Sequence, residues 1–176
     1  VGTISMHQDL EFFRGKRVFV TGHTGFKGTW LTFLLKELGA EVMGFALKPE
    51  PGPSHFMLLG MEDKINHVVG DVRDAAHVND AMQSFQPDIV FHLAAQALVK
   101  KSYEAPTITF DTNVMGSVNL LDAVRQCSTV RSLVYITSDK CYENVEWVWG
   151  YRENDQLGGH DPYSASKAAT EILFSA

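Results

Sequence analysis

The chain has 176 residues, 45% of them hydrophobic and 20% charged, with a formal net charge of −6. This length allows one domain with a substantial core, and the acidic balance without a basic run argues against nucleic acid as the main partner. No apolar stretch approaches the roughly 18–20 residues of a membrane span and no secretory h-region is recognisable, so we predict no membrane partner.

Strands and helices alternate along the chain. Strands are predicted at 16–20, 41–47, 65–69, 88–93 and 130–136, a loop at 49–56, and helices after a glycine-rich turn at 21–28, at 75–85, at 106–127 and from Pro162 onwards. This alternation, with nearly continuous apolar strands, predicts an α/β fold with a Rossmann-like doubly wound parallel sheet. Such a sheet normally adds a further strand after the last helix, so we expect the chain to be truncated before a substrate domain.

The domain organisation follows from this pattern. Residues 15–176 are interpreted as an incomplete dinucleotide-binding domain, and residues 1–14 as an N-terminal lead. Within the lead, residues 1–5 precede a start at Met6 and are interpreted as an artificial addition.

Cysteine and histidine usage limits the chemistry. The two cysteines, Cys127 and Cys141, lie on different predicted elements, which favours unlinked thiols in a reduced, cytoplasmic setting. The seven histidines have no ligand spacing and no neighbouring cysteine or carboxylate cluster. We therefore predict no metal site.

A glycine-rich turn follows the first strand. Gly22, Gly25 and Gly28 stand between an apolar strand and an apolar-periodic helix, the context that a dinucleotide fingerprint requires. Gly22 permits the tight turn, Gly25 lets the backbone approach a pyrophosphate, and Gly28 allows close packing of helix on strand. Amides at the helix start, around Phe26 and Lys27, would hold the phosphates.

Polar or small residues gather where the other strands end, the edge at which a parallel sheet binds ligands. The cofactor contacts predicted there are Asp71, Val72, Leu93, Ala94 and Ala95. Asp71 would accept from the adenine amino group or, alternatively, cap the following helix. The two alanines leave room for a cofactor, although tight packing would select them too. Lys48 stands where an acid would bind the ribose diol of NAD, so NADP stays open beside NAD unless this lysine is merely solvated.

Tyr163 and Lys167 form the second chemical signal. Asp161 is a good N-cap and Pro162 suits the first helical position, so a helix should begin there and carry both side chains on one face. An ammonium one turn away stabilises a phenolate, which makes the tyrosine a usable general base. Because this spacing is common by chance, an ordinary surface pair is the alternative.

Together these features resemble the extended short-chain dehydrogenase/reductase family over residues 15–176. The strings that carry a likeness to its sugar-nucleotide dehydratases lie at 21–28, 92–96, 137–142 and 150–164. The resemblance implies a lyase that uses NAD to convert CDP-glucose into CDP-4-keto-6-deoxyglucose, in deoxysugar biosynthesis for O-antigen and lipopolysaccharide. It also implies a homodimer or higher homo-oligomer, assembled through the helices at 106–127 and after Pro162.

The same resemblance implies how catalysis is divided. Ser138 would hydrogen-bond the C4 oxygen of the sugar, Tyr163 would remove its proton, and Lys167 would hold the nicotinamide ribose. Asp139 would protonate the departing C6 hydroxyl, and Lys140, in its neutral form, would take the C5 proton. Alternatively, serine, aspartate and lysine after a strand are residues that commonly form an ordinary turn.

Further positions are implied less directly. Gln96 and Ser102 would contact substrate, the latter by alignment with a hydroxyl residue of the family's active-site loop. Asn113 resembles the family's active-site asparagine, with a solvated helix residue as the alternative. The tryptophan-containing segment 147–149 would border the sugar nucleotide or pack against its neighbours. His23 stands where many relatives have a small residue and is given no chemical role.

Alternatives of different classes stay open. An NAD(P)-dependent epimerase or reductase on the same scaffold would not need Asp139 and Lys140, since epimerisation at C4 involves no dehydration. A non-catalytic protein that senses dinucleotides would usually lose Tyr163 or Lys167. An inactive fragment is the third alternative, because in the resembled family the missing half holds much of the nucleotide.

Overall fold

The computed structural model describes residues 10–49 and 51–176, and its centre is a five-stranded parallel sheet. The strands are β1 (Arg17–Thr21), β2 (Glu41–Ala46), β3 (Asn66–Val69), β4 (Ile89–His92) and β5 (Ser132–Tyr135). They lie in the order β3-β2-β1-β4-β5, which confirms the predicted Rossmann-like sheet. Because the order reverses between β1 and β4, the crevice for a ligand lies at the carboxyl ends of these two strands.

Helices connect the successive strands, and a last helix follows β5. Those of the described residues are α1 (Phe26–Glu37), α2 (His55–Leu58), α3 (Ala75–Phe85), α4 (Val99–Glu104), α5 (Pro106–Phe110), α6 (Gly116–Gln126) and α7 (Pro162–Ser175). Short 3₁₀ turns lie at Glu11–Phe13, Met61–Asp63 and Asp139–Cys141. In the part of the chain that the structure describes, no helix has the length and apolarity needed to cross a membrane.

Three helical regions differ from the sequence prediction. Helix α4 (Val99–Glu104) was not predicted, and it carries Ser102, which was expected in a loop. The loop predicted at 49–56 runs into α2, which begins where the Ser54 hydroxyl accepts a hydrogen bond from the Met57 amide. The single helix predicted at 106–127 is divided into α5, a π-helical turn at Asp111–Met115, and α6. Periodicity did not reveal this turn, because one extra residue per turn hardly disturbs an apolar pattern.

Both faces of the sheet are buried. Side chains alternate along a strand, so Val18 of β1 belongs to one apolar cluster and Phe19 to the other. The first cluster includes Leu35 of α1, and the second includes Val78 of α3 and Leu120 of α6. Each such side chain contributes about 1.5–3 kcal/mol through burial. Burial on both faces explains why the central strands read as continuous apolar runs.

The predicted N-terminal lead lies only partly within the described residues, since 1–9 fall outside them. The remainder forms the 3₁₀ turn Glu11–Phe13, and Phe13 packs against the cluster that contains Val18 and Leu35. The end of the lead is therefore attached to the domain.

Candidate active site

The glycine turn follows β1 at the crevice, and two of its glycines are required for steric reasons. Gly22 has a φ of +75°, and a Cβ there would lie 2.7 Å from the Ala94 backbone nitrogen. A Cβ on Gly28 would lie 2.2 Å from the Gly22 carbonyl oxygen. Gly25 is different, since its Cβ would meet that same oxygen at an ordinary 3.4 Å. Gly25 therefore lies on the solvent-exposed side of the turn, where the absence of a side chain leaves the backbone accessible.

Helix α1 begins directly after Gly25, so its first amides point out of the turn. The first intrahelical bond runs from the Thr29 amide to the Gly25 carbonyl, at 2.9 Å. The amides of Phe26, Lys27 and Gly28 precede it and belong to the group that a helix leaves unpaired at its start. These amides are suited to an anion such as a pyrophosphate. The predicted strand–turn–helix order is confirmed.

The aspartates after β3 have separate tasks. Asp74, not Asp71, caps α3, because its carboxylate accepts from the His77 amide at 3.1 Å. The sequence alternative in which Asp71 is the cap is therefore wrong. Asp71 instead pairs with the Arg73 guanidinium at 2.6 Å, and this hydrogen bond lowers the pKa of its carboxyl. Its predicted contact with adenine stays a prediction, as does that of buried Val72 beside it.

Small residues line the end of β4. Leu93, Ala94 and Ala95 are half-buried, and the amides of the first two donate to the Thr21 hydroxyl at 3.2 Å. This bond ties the end of β4 to the end of β1 across the switch point. The two alanines therefore border the same crevice as the glycine turn. Lys48, after β2, is exposed.

Tyr163 and Lys167 lie in the first turns of α7, as predicted. Asp161 caps this helix, accepting from the Ser164 amide at 2.9 Å and from its hydroxyl at 2.6 Å. The alternative of an ordinary surface pair is wrong, because Tyr163 is 9% exposed and Lys167 only 4%. The ammonium of Lys167 donates to the Ile136 carbonyl at 3.3 Å. Burial is the main reason that its pKa is lowered to about 8.

The predicted acid and base follow β5 on a 3₁₀ turn that packs against α7. Ser138 caps the turn: its hydroxyl donates to the Asp139 carboxylate at 3.0 Å and accepts from the Lys140 amide at 3.3 Å. Asp139 and Lys140 are exposed, whereas Cys141 behind them is buried. The structure therefore brings the serine–aspartate–lysine string to the helix that carries Tyr163 and Lys167.

Asn113 lies in the π-helical turn and is 1% exposed, so the alternative of a solvated residue is wrong. Its carbonyl oxygen accepts from the Gln96 amide at 2.8 Å. Its amide nitrogen donates to the Gln96 carbonyl at 3.1 Å and to the Ser166 hydroxyl at 2.8 Å. Asn113 thus joins the loop after β4 to α7, between Tyr163 and Lys167.

The two predicted substrate contacts near β4 have internal partners. The Gln96 side chain donates to the Thr109 hydroxyl at 3.0 Å and to the Leu98 carbonyl at 3.1 Å. Ser102 is fully buried in α4, where its hydroxyl donates to the Val99 carbonyl at 2.7 Å. A substrate role for either residue stays a prediction.

A buried polar chain beneath the site was not predicted. His92 of β4 bonds to the Thr21 hydroxyl at 2.6 Å and to the Ser117 hydroxyl at 3.2 Å, and Ser117 bonds to the Tyr135 hydroxyl at 2.7 Å. Burial, and secondly the charge of Lys167, lowers the pKa of His92 to about 3. The sequence offered one indication of this buried polar chain, namely that His92 ends an otherwise apolar strand.

His23 occupies a second buried position, behind the glycine turn. Its Nε2 lies 2.7 Å from Nδ1 of His67, and its ring packs edge-on against Phe56. Gly44 of β2 makes the room, because a Cβ there would lie 2.3 Å from the His23 ring. Burial, and secondly His67, lowers the pKa of His23 to about 3. A packing role explains this residue without any catalytic one.

The segment between the 3₁₀ turn and α7 carries exposed aromatic residues. Trp147 and Trp149 are 47% and 72% exposed. Tyr151 stacks on Tyr142 at 5.3 Å between ring centroids and contacts Trp147. Beside them is a shallow cavity of about 290 Å³ that both tryptophans line together with Arg152. The tryptophans are therefore surface residues, and packing does not account fully for them.

Comparison with known proteins agrees with this architecture. The family model described as GDP-mannose 4,6 dehydratase matches residues 19–176. A CDP-glucose 4,6-dehydratase of Salmonella typhimurium is 53% identical over 168 residues, which are 96% of this chain and 47% of that protein. The chain thus spans about half the length of this curated relative.

Solved structures give the same result. The UDP-glucose 4-epimerase of Thermus thermophilus, in complex with NAD, has a TM-score of 0.80 and 34% identity, over 90% of this chain and 50% of that one. Epimerase Mth375 of Methanothermobacter thermautotrophicus has a TM-score of 0.84 and 26% identity, over 98% and 51%. The chain therefore belongs to the extended short-chain dehydrogenase/reductases, the family of NAD-dependent sugar-nucleotide epimerases and dehydratases.

Proposed function

We propose that this chain is the cofactor-binding and catalytic part of a 4,6-dehydratase that converts CDP-glucose into CDP-4-keto-6-deoxyglucose. One observation carries the proposal: exposed Asp139 and Lys140 lie on a turn packed against the helix of Tyr163 and Lys167. A tyrosine–lysine pair serves oxidation and reduction, whereas elimination of water also needs an acid and a base. The 53% identity to a CDP-glucose 4,6-dehydratase supports the choice of sugar nucleotide.

The residues present fit a dinucleotide cofactor. Gly22 and Gly28 form a turn too tight for side chains, and Gly25 leaves the start of α1 accessible. This turn would hold the pyrophosphate, with Ala94 and Ala95 beside the rest of the cofactor. NAD, when bound, would supply the acceptor for the C4 hydride and return that hydride to C6.

The side chains would then act in a fixed order. Ser138 would hydrogen-bond the C4 oxygen while Tyr163 takes its proton, assisted by the ammonium of Lys167. The resulting C4 ketone acidifies the C5 proton, which Lys140 would remove in its neutral form. Asp139 would protonate the C6 hydroxyl, which leaves as water. Lys140 would return a proton to C5, Tyr163 would release its proton to solvent and Asp139 would regain one, so each turnover loses one water.

An isotope experiment tests the reaction. Protein expressed from its complete reading frame would be given CDP-glucose deuterated at C4, and the product analysed by NMR. We expect a 4-keto-6-deoxy sugar with deuterium at C6. Turnover of dTDP- or GDP-sugars but not of CDP-glucose would contradict the proposed substrate, and a product epimerised at C4 would favour the epimerase alternative.

A substitution tests the base. Lys140→Ala should stop the reaction after C4 oxidation, because the C5 proton stays in place, and bound NADH should accumulate and be visible by fluorescence. Lys64→Ala is the matched control, since Lys64 is an exposed lysine just before β3, at the amino end of the sheet. Normal product formation by Lys140→Ala would remove this residue from the role.

We also propose that copies of the protein assemble through α5 and α7, which pack on each other. These helices carry large apolar side chains that are 39–62% exposed: Ile108, Phe110, Ile172 and Phe174. Exposed apolar surface of this kind is typical of an interface. Light scattering should give a dimer or larger assembly that Ile172→Glu dissociates, and an unchanged mass for this variant would place the interface elsewhere.

A further inference from the structure

Lys167 needs a compensating charge, because its ammonium is almost completely buried. The titratable groups around it are Glu171 on its own helix, His92 from β4, Tyr135 from β5 and Lys27 from α1. Tyr163 stands one helical turn before it on α7. Burial lowers the pKa of Lys167, and the positive charge of Lys27 lowers it further. His92 is neutral, so it adds no second positive charge beside the lysine. Among these groups Glu171 raises the pKa of Lys167.

Glu171 is placed to act on both halves of the site. It stands four residues after Lys167 and eight after Tyr163, so all three side chains share one face of α7. It is half-buried, which limits the screening of its charge by water. The Thr137 hydroxyl donates a hydrogen bond to the Glu171 carboxylate, and Thr137 directly precedes Ser138.

We propose that Glu171 is a positioning residue: its carboxylate, one helical turn from Lys167, favours the charged form of that lysine, and its bond to Thr137 fixes the loop of Ser138 against α7. The proposal rests on the proposed function for its kinetic consequences only. Charge and position are separable, since an amide in place of the carboxylate keeps the acceptor oxygen but removes the charge.

Two near-isosteric variants separate the two effects. In Glu171→Gln the titration midpoint of Lys167 should fall by about one pH unit. The high-pH limb of kcat/KM for CDP-glucose should shift by the same amount, because the lysine loses its proton earlier. In Thr137→Val the midpoint should stay in place while kcat falls severalfold, because the loop loses its anchor. Glu62→Gln is the control, since Glu62 is an exposed acid preceding β3, on the opposite edge of the sheet from β5.

The midpoint is measured by NMR of ¹³C-labelled lysine in the protein from the complete reading frame, with the resonance assigned through Lys167→Met. This readout needs no turnover, so it decides the role of Glu171 even if CDP-glucose is not the substrate. A midpoint that is unchanged in Glu171→Gln would overturn the electrostatic role. An unchanged kcat in Thr137→Val would overturn the positioning of the loop.

Discussion

Acidification from pH 7 to pH 5 is expected to destabilise this fold steeply, because His23 and His92 are buried in neutral form. Each has a pKa of about 3 in the folded chain, against about 6.5 in an unfolded one. Below pH 6.5 the unfolded state therefore binds more protons than the folded state. The contribution of these histidines to stability is complete above pH 6.5 and is lost as the pH falls towards 3.

The size of the effect follows from the two pKa values. At pH 5 an unfolded histidine is almost fully protonated, so folding must remove a proton at a cost of about 2 kcal/mol for each residue. For two histidines the loss is about 4 kcal/mol, a large part of the roughly 5–15 kcal/mol that stabilises a typical domain. His92 should account for about half of it, because its pKa is lowered as far as that of His23. Both of its ring nitrogens have hydroxyl partners, an arrangement that suits a neutral ring.

Urea unfolding followed by tryptophan fluorescence at several pH values between 7.5 and 5 measures this dependence. His92→Gln should be less stable at pH 7 and should lose about half of the pH dependence. His160→Asn, at an exposed position, should keep all of it. A free energy of unfolding that stays constant between pH 7 and 5 would refute the conclusion that both histidines are buried in neutral form.

Three further outcomes are expected. Gly28→Ala should lower the free energy of unfolding by about 1–3 kcal/mol and weaken NAD binding, because its Cβ would lie 2.2 Å from the Gly22 carbonyl oxygen. Gly150→Ala is the control, since a Cβ there has open space, and it should change neither quantity. Urea unfolding measures the stability and calorimetric titration measures NAD binding. Asn113→Ala should lower the free energy of unfolding, measured in urea, by about 1–3 kcal/mol, because the backbone amide and carbonyl of Gln96 lose their hydrogen-bond partner. Unchanged stability would contradict these hydrogen bonds. Lys48→Ala should weaken binding of NADP but not of NAD in calorimetry, and equal effects would exclude contact with a 2′-phosphate.

Much of the fold was predictable because its signals are local. An apolar run, a glycine turn and an N-cap each act over a few residues, so β1, α1 and the start of α7 at Asp161 follow from their own sequence. The order of alternating elements then restricts the sheet to parallel topologies. The same locality could have identified the cap of α3, since Asp74 directly precedes Ala75, whereas Asp71 lies too early in the chain to cap a helix that begins there.

The sequence by itself thus determined the dinucleotide-binding fold and placed Tyr163 and Lys167 on one helical face. Only the tertiary structure decided what surrounds them. Asn113 meets Ser166 across 53 residues of chain, and His92 meets Thr21 across 71. No local pattern encodes such pairs, because whether a polar side chain is solvated or buried depends on groups that folding brings to it from elsewhere.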